Sequence, residues 1–336
     1  MFMQILKGIG IAIMLAYTSS ASSLELDIEK IDQILSRKNY CGVVLIADAN
    51  KIYYEKAYGY ANKETSLLNT SETRFPIASI TKIVTSALVQ VILKEKDIDL
   101  NSSVGDYLGR QFPSELTIQS LFTHQSGLKL YTDFNQSDEK RSFPLSKNTL
   151  YELMLENPSR SLGFNYNNGN YILLEHLIEK ITKHSYQHCL QEKILTPCGM
   201  AHTNTLSSTQ TEGLATGYSK QGHKALPIDY LWLGGGAGIY STAHDLYIFA
   251  KNLLGHRIIS AEMLQDSFKD YGGSYGYGWT TGTISTIPVR FHEGGIDGFS
   301  TMLMLEPTTT RLLIMLSNSE IDIAELSREI FSHSKK

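Results

Sequence analysis

Two runs near the end of the chain, "STMLMLEP" at 300–307 and "RLLIMLSN" at 311–318, are apolar at successive positions rather than alternate ones. A strand with one wet face alternates apolar and polar residues, so a run without alternation is buried on both faces. The turn at Pro307-Thr308-Thr309 joins the two. Near the other end, "CGVVLIAD" (41–48) has the same character, and "KIYYEKAYGYA" (51–61) follows it across a hairpin at Asp48-Ala49-Asn50. "GYGWTTGTI" and "VRFHEGG" are further β-rich runs. A sheet buried on both faces must carry helices on each side. The natural covers are an amphipathic helix over 24–37, where Leu24, Ile28, Ile31, Ile34 and Leu35 recur at helical spacing, and a last helix over 319–331. Strands from the two ends of the chain therefore make one sheet, with a largely helical insertion at 97–235 between them. Inside it, helices are expected at 147–156, 170–183 and 186–194, and Gly234-Gly235-Gly236 marks a break. Beyond it, "STAHDLYIFAKNLL" reads as a helix with Thr242 and Asp245 set as a capping box.

The 336 residues suit one large-cored enzyme, and a formal charge of −4 recommends no nucleic-acid partner. Lys7, the apolar stretch Gly8 to Tyr17, and the small residues Ser19 and Ala21 have the order of a secretory signal peptide over 1–21. That leaves a single domain over 22–336, exported to the periplasm or secreted, with no stable membrane span after cleavage. Cys41, Cys189 and Cys198 are an odd number in an exported protein and form no disulfide framework. They read as small buried hydrophobes, with a Cys189–Cys198 bridge left open. His184 and His188 have the i, i+4 spacing of a metal pair, but no HExxH accompanies them, and a solvated helix face is the expectation.

The chemistry concentrates at "FPIASITKIVTSALVQVILKEK" (75–96). Ser79 and Lys82 stand one helical turn apart at the head of an apolar helix. A lysine among aliphatic groups has its charged form disfavoured, and a neutral amine can take the serine proton. The Ser79 N–H, in the unpaired first turn, can hold an oxyanion. The spacing alone is weak, because Ser126–Lys129, Ser137–Lys140 and Ser332–Lys335 match it too. Tyr166 and Asn168 in "FNYNNGNY", and His292, Glu293 and Gly294 in "FHEGGIDGFS", supply further polar groups. Tyr60-Ala61-Asn62 repeats the Tyr-x-Asn spelling but precedes the serine at the end of a strand.

With these motifs in this order, Ser79-x-x-Lys82, Tyr166-x-Asn168 and His292-x-Gly294, the chain resembles the serine β-lactamase-related, penicillin-binding hydrolases. These include class C β-lactamases, D-alanyl-D-alanine carboxypeptidases and related esterases. "LFTHQSGL", "TPCGM", "GGGAGIYSTAHDL" and "YGYGW" extend the resemblance along nearly all of 22–336. It implies a β-lactamase/transpeptidase-like fold of the α/β (α+β) class, an antiparallel sheet covered by helices on both faces with an inserted, mostly helical subdomain. It assigns the nucleophile to Ser79, makes Lys82 its base or the group that keeps that base deprotonated, and gives Tyr166, in the Tyr-x-Asn general-base motif, proton relay to the leaving group and later activation of water. Asn168 would bond the substrate, His292 would complete the polar cluster, and the Ser79 and Gly295 N–H groups would form the oxyanion hole. No cofactor is implied, and the partner is a small-molecule or peptidoglycan-derived substrate.

The pattern has His292 where β-lactamases usually carry lysine, and Glu293 where relatives contact a substrate carboxylate. An imidazole titrates near neutrality where a lysine would not, so activity is expected to respond to His292 across pH 5–8. Glu293 is expected to repel carboxylate substrates, with Arg290 on the His292 strand face offsetting part of this. The expectation is a serine acyl-hydrolase of carboxypeptidase or esterase type acting on D-amino-acid peptides or esters. The alternatives are a class C-like β-lactamase or carboxylesterase, and a penicillin-binding receptor or scaffold that does not turn over.

Overall fold

Strands from opposite ends of the chain lie side by side at the centre of the molecule. The computed structural model describes residues 24–109, 112–113, 115–129, 151, 154, 163–206, 213–226 and 233–335. The leader expected over 1–21 lies outside them, as does most of the helix expected at 147–156, of which Tyr151 and Met154 are helical and buried. Six strands form the main sheet: β1 (Gly42–Ala47), β2 (Ile52–Tyr58), β3 (Thr280–Ile284), β4 (Ile287–Ile296), β5 (Phe299–Leu305) and β6 (Leu312–Ser317). Their order is β2-β1-β6-β5-β4-β3, and every neighbour is antiparallel. The β1–β6 ladder, from Ala47 opposite Leu312 to Gly42 opposite Ser317, closes the sheet across the chain ends.

The unbroken apolar runs feed two cores. Val43, Leu45, Leu303, Ile314 and Leu316 face one side. Val44, Ile46, Met302, Met304, Leu313 and Met315 face the other. The principal helices are α1 (Ile28–Arg37), α2 (Thr81–Glu95), α3 (Asn168–Thr182), α4 (Ala243–Leu254) and α5 (Ile323–Ser332). Helices α1 and α5 cover the second face through Ile31, Ile34, Leu35, Leu326, Ile330 and Phe331. Helices α2, α3 and α4 build the larger core on the first. No helix among the described residues is long and apolar enough to cross a membrane.

Several expected boundaries move, each for a local reason. The first helix starts at Ile28, not 24, because Asp27 caps it by accepting the Lys30 N–H and Glu25–Leu26 pair instead with Ser334–Lys335. The last helix starts at Ile323, because the N–H groups of Glu320 and Ile321 bond to Tyr218 O and Ser300 Oγ, and Asp322 is the cap. At 186–194 an α-helix (Tyr186–Leu190) passes into a π turn (Gln191–Leu195). The capping box on α4 is half made. Thr242 accepts the Asp245 N–H, while the Asp245 carboxylate turns to His202 N and Thr203 Oγ1. "GYGW" is a turn rather than strand: Gly278 sits at φ +78°, where a Cβ would come within 2.7 Å of Lys82 O. All three cysteines are free, with Cys198 only partly buried.

The outer edge carries a charged knot. Asp32 of α1 accepts from Tyr54 and Tyr58 of β2, each at 2.6 Å, and from Lys56 at 2.7 Å. Burial would raise its pKa, but these donors, Lys56 foremost, outweigh it and hold the carboxyl at about 2 against 3.8. A depressed carboxyl contributes stability above pH 3.8 that disappears as pH falls toward 2. With 33% of the side chain exposed, screening limits the contribution to about 1 kcal/mol. Asp32→Asn is expected to remove that amount at pH 7 and to flatten the acid limb between pH 4 and 2, measured by urea unfolding across that range.

Candidate active site

The strand residues Phe75–Pro76 pair with Tyr240 and Ser241 and deliver the chain to a 3₁₀ turn, Ala78–Ile80, that runs into α2. Ser79 stands in this turn. Ala78 before it is fully buried at φ +47°, a left-handed conformation that costs a non-glycine residue ~1–3 kcal/mol. Strand β4 lies directly on it. A Cβ at Gly294 would come within 2.2 Å of Thr301 Oγ1 and 2.6 Å of Ile77 O, so only glycine fits there. Thr301 Oγ1 donates to Ile77 O at 2.9 Å and ties β5 to the same turn.

Lys82 is fully buried. Its Nζ lies 3.0 Å from Ser79 Oγ, 2.6 Å from Asn168 Oδ1 and 2.8 Å from Gly236 O. No carboxylate is among these partners, and burial drives its pKa well below 10.5. A neutral amine has two N–H donors and one lone pair. Asn168 Oδ1 and Gly236 O can only accept, so they take the two hydrogens. The lone pair then faces the Ser79 hydroxyl. Tyr166 OH, 3.0 Å from Ser79 Oγ, donates to that oxygen from the outer side. Ser79 is thus placed to give its proton to Lys82 while accepting from Tyr166.

Gly236 is a member of the site that the sequence reading passed over as a break. Gly234–Ala237 forms a short helical turn wedged between α2 and α3. Glu175 Oε2 accepts the Gly235 N–H at 2.6 Å, and Thr85 Oγ1 donates to Gly235 O at 2.7 Å. A Cβ at Gly234 would meet Glu175 Oε2 at 2.1 Å, and one at Gly235 would meet Tyr171 O at 2.8 Å. The glycine run is what lets this turn reach Lys82.

The remaining expected residues divide. Asn168, at the start of α3, is brought to Lys82. With its oxygen committed there, only its NH₂ could serve a substrate carbonyl. His292 is buried, its Nδ1 2.6 Å from Glu293 O and its Nε2 2.9 Å from Tyr275 OH. A carbonyl can only accept, so Nδ1 carries the proton and Nε2 accepts from Tyr275. Both nitrogens are engaged away from the Ser79 and Tyr166 oxygens, which corrects the expected polar cluster. Titration near neutrality is corrected too: burial first, and any charge on Lys82 second, push the imidazole down to about 3.

Glu293 does not join the cluster. Residues paired across strands share a face, and Glu293 is opposite Met302 in the outer core, whereas His292 is opposite Leu303 in the inner one. Its charged neighbours are Asp322 and Arg328, so the expected repulsion of a substrate carboxylate loses its basis. Arg290 keeps the His292 face, but its Nε donates to Phe268 O. Gly295 is better placed. The two-residue turn after Ile296 makes Ile296 and Phe299 a bonded pair, so by alternation the Gly295 N–H points away from β5. On that edge β3 stops pairing at Phe291, which leaves the position open.

His184 and His188 are exposed with ring centroids 4.6 Å apart, and His188 pairs with Glu192. No group of three potential ligands gathers among the described residues. Tyr60–Asn62 is a short strand paired with Leu67–Leu68. Because His292 is neutral throughout pH 5–8, His292→Asn is expected to lower activity while leaving the midpoint of any limb in that range within ~0.3 of a pH unit. The rate profiles of the two proteins check this.

Known proteins resemble this chain over most of its length. Protein flp of Staphylococcus aureus is 26% identical over 320 residues, taking in 87% of this chain and 63% of that protein, so the chain spans less than two thirds of that relative. The structure of a penicillin binding protein from Bacillus halodurans superposes with a TM-score of 0.79 at 22% identity, covering 90% of this chain and 98% of the other. A D-amino acid amidase from Ochrobactrum anthropi SV3 superposes with a TM-score of 0.77 at 19% identity, covering 91% and 98%. These superpositions establish a shared β-lactamase/transpeptidase-like fold. The family described as Beta-lactamase matches residues 28–330, and the chain belongs to it.

Proposed function

We propose that the protein is a serine acyl-hydrolase that works through a covalent acyl-enzyme on D-amino-acid peptides, amides or esters. The observation that carries this reading is the buried, carboxylate-free Lys82 amine 3.0 Å from Ser79 Oγ. Lys82 takes the Ser79 proton as Oγ attacks the substrate carbonyl. The tetrahedral oxyanion is held by the N–H groups of Ser79 and Gly295. Tyr166, 39% exposed and bonded to Ser79 Oγ, passes a proton to the leaving amine or alkoxide as the C–N or C–O bond breaks. In the second half Tyr166, deprotonated by that transfer, takes a proton from water as water attacks the acyl carbon, and Ser79 Oγ leaves with the proton that Lys82 had taken.

Substrate class is argued from kinship. Similarity to a penicillin binding protein and to a D-amino acid amidase favours acyl groups of D-amino acids. Glu293, facing the outer layer, sets no bar against a substrate carboxylate. The apolar leader at 1–21 favours work outside the cytoplasm, where such peptides occur.

Ser79→Ala is expected to lower turnover of the best substrate in a panel by ~10³-fold or more. The panel is a nitrophenyl ester, a D-amino-acid amide, a D-Ala-D-Ala peptide and a chromogenic cephalosporin. The variant is also expected to lose the acyl adduct seen by intact-protein mass spectrometry. A Ser79→Ala protein that keeps a tenth of the rate overturns the assignment. Stable acylation of the wild type with no turnover makes it a receptor instead.

A further inference from the structure

We propose that His124 is a positioning residue for Tyr166, bracketing the two residues on either side of it. The inference rests on the acyl-hydrolase reading of Tyr166 given above. His124 lies just beyond a short helix (Ile118–Phe122) and is 1% exposed. Its main-chain oxygen accepts the Asn165 N–H at 2.8 Å. Its ring Nδ1 accepts the Asn167 N–H at 3.1 Å. One residue therefore holds the chain immediately before and immediately after Tyr166. The two grips come from opposite ends of the residue, and a backbone at φ +56° turns both toward the same segment. The ring itself lies against Tyr166, with centroids 4.5 Å apart.

The protonation of the imidazole follows from its partners. Asn170 Nδ2 also lies 2.9 Å from Nδ1, and Ser126 Oγ donates to Asn170 Oδ1 at 2.5 Å, which orients that amide with its NH₂ toward the histidine. Two donors meet at Nδ1, so Nδ1 carries the lone pair and Nε2 carries the proton. That Nε2–H is buried without a hydrogen-bond partner among the described residues. The ring is enclosed by Phe164, Tyr166, Tyr171 and Tyr275. A phenylalanine would fill such a box with no unpaired N–H of its own, but it would strip the Asn167 N–H and the Asn170 NH₂ of their acceptor. What the imidazole adds is the acceptor at Nδ1. Burial keeps the ring neutral by pushing its pKa well below 6.5, and any charge on Lys82 or His292 would push it further. His124 thus acts through its geometry and not as an acid or base.

The test compares three variants on the panel ester. His124→Asn keeps an acceptor at the Nδ1 position and tolerates a left-handed backbone, but loses the ring. His124→Phe keeps the ring and loses the acceptor. His124→Gln carries its acceptor where Nε2 stands, and replaces the Phe variant if that one does not fold. The expected result is a fall in kcat of ~10²-fold for His124→Phe with KM within about threefold, and rescue by His124→Asn to within about tenfold of wild type. In a Tyr166→Phe background, His124→Phe should cost less than about threefold more, because both changes disable one group. Equal losses in the Asn and Phe variants, unchanged kcat in the Phe variant, or losses that multiply in the double variant would overturn the proposal. An active wild type with any of these results leaves the acyl-hydrolase reading standing. A wild type with neither turnover nor a Ser79 adduct overturns both.

Discussion

The Nζ of Lys82 is bonded to a hydroxyl, an amide oxygen and a main-chain carbonyl, and none of the three carries charge. An ammonium ion placed there would be out of water with no counter-ion bonded to it among the described residues, a cost of several kcal/mol that the group avoids by staying neutral. The rest of the site serves this condition. Helix α2 is buried around nearly its whole circumference from Thr81 to Gln90, so its first turn cannot reach solvent. The glycine turn at Gly234–Ala237 comes close enough to supply one acceptor, and the start of α3 supplies the other. With its hydrogens occupied, the amine has only its lone pair left, and that faces Ser79.

The sheet positions the other half. Strand β4 reaches the Ser79 turn only because it sits between β5 and β3 in one register, and burial on both faces pins that register. A slip of one residue would set Glu293 against Ala78, where the structure admits no side chain at all. The same pairing carries the Gly295 N–H to the edge that β3 has left. The two covering layers therefore do more than hide apolar surface. They hold a strand end against a strained turn.

Much of this was legible in the residues. Apolar runs without alternation implied a doubly covered sheet, and Val43 and Val44 do go to opposite cores. Ser79, Lys82, Tyr166 and Asn168 are brought together as the ordered motifs implied. The misses have physical causes. Gly236 and Tyr275 contribute through contacts between distant segments, which no local spacing encodes. His124 sat in "LFTHQSGL" without a role, because its value is one lone pair aimed at a loop some forty residues away. The neutral His292 follows from burial that sequence does not display. The Glu293 error was avoidable, since adjacent strand residues face opposite ways and His292 already claimed the inner face.

The account stands or falls on the protonation state of Lys82. Its titration can be followed by NMR in protein carrying ¹³Cε-labelled lysine, with the Lys82 signal assigned by its loss in Lys82→Arg. The account predicts one lysine, Lys82, that loses its proton well below the ordinary 10.5 and ahead of the exposed lysines. A Lys82 signal that stays protonated with the others up to pH 10 would contradict it.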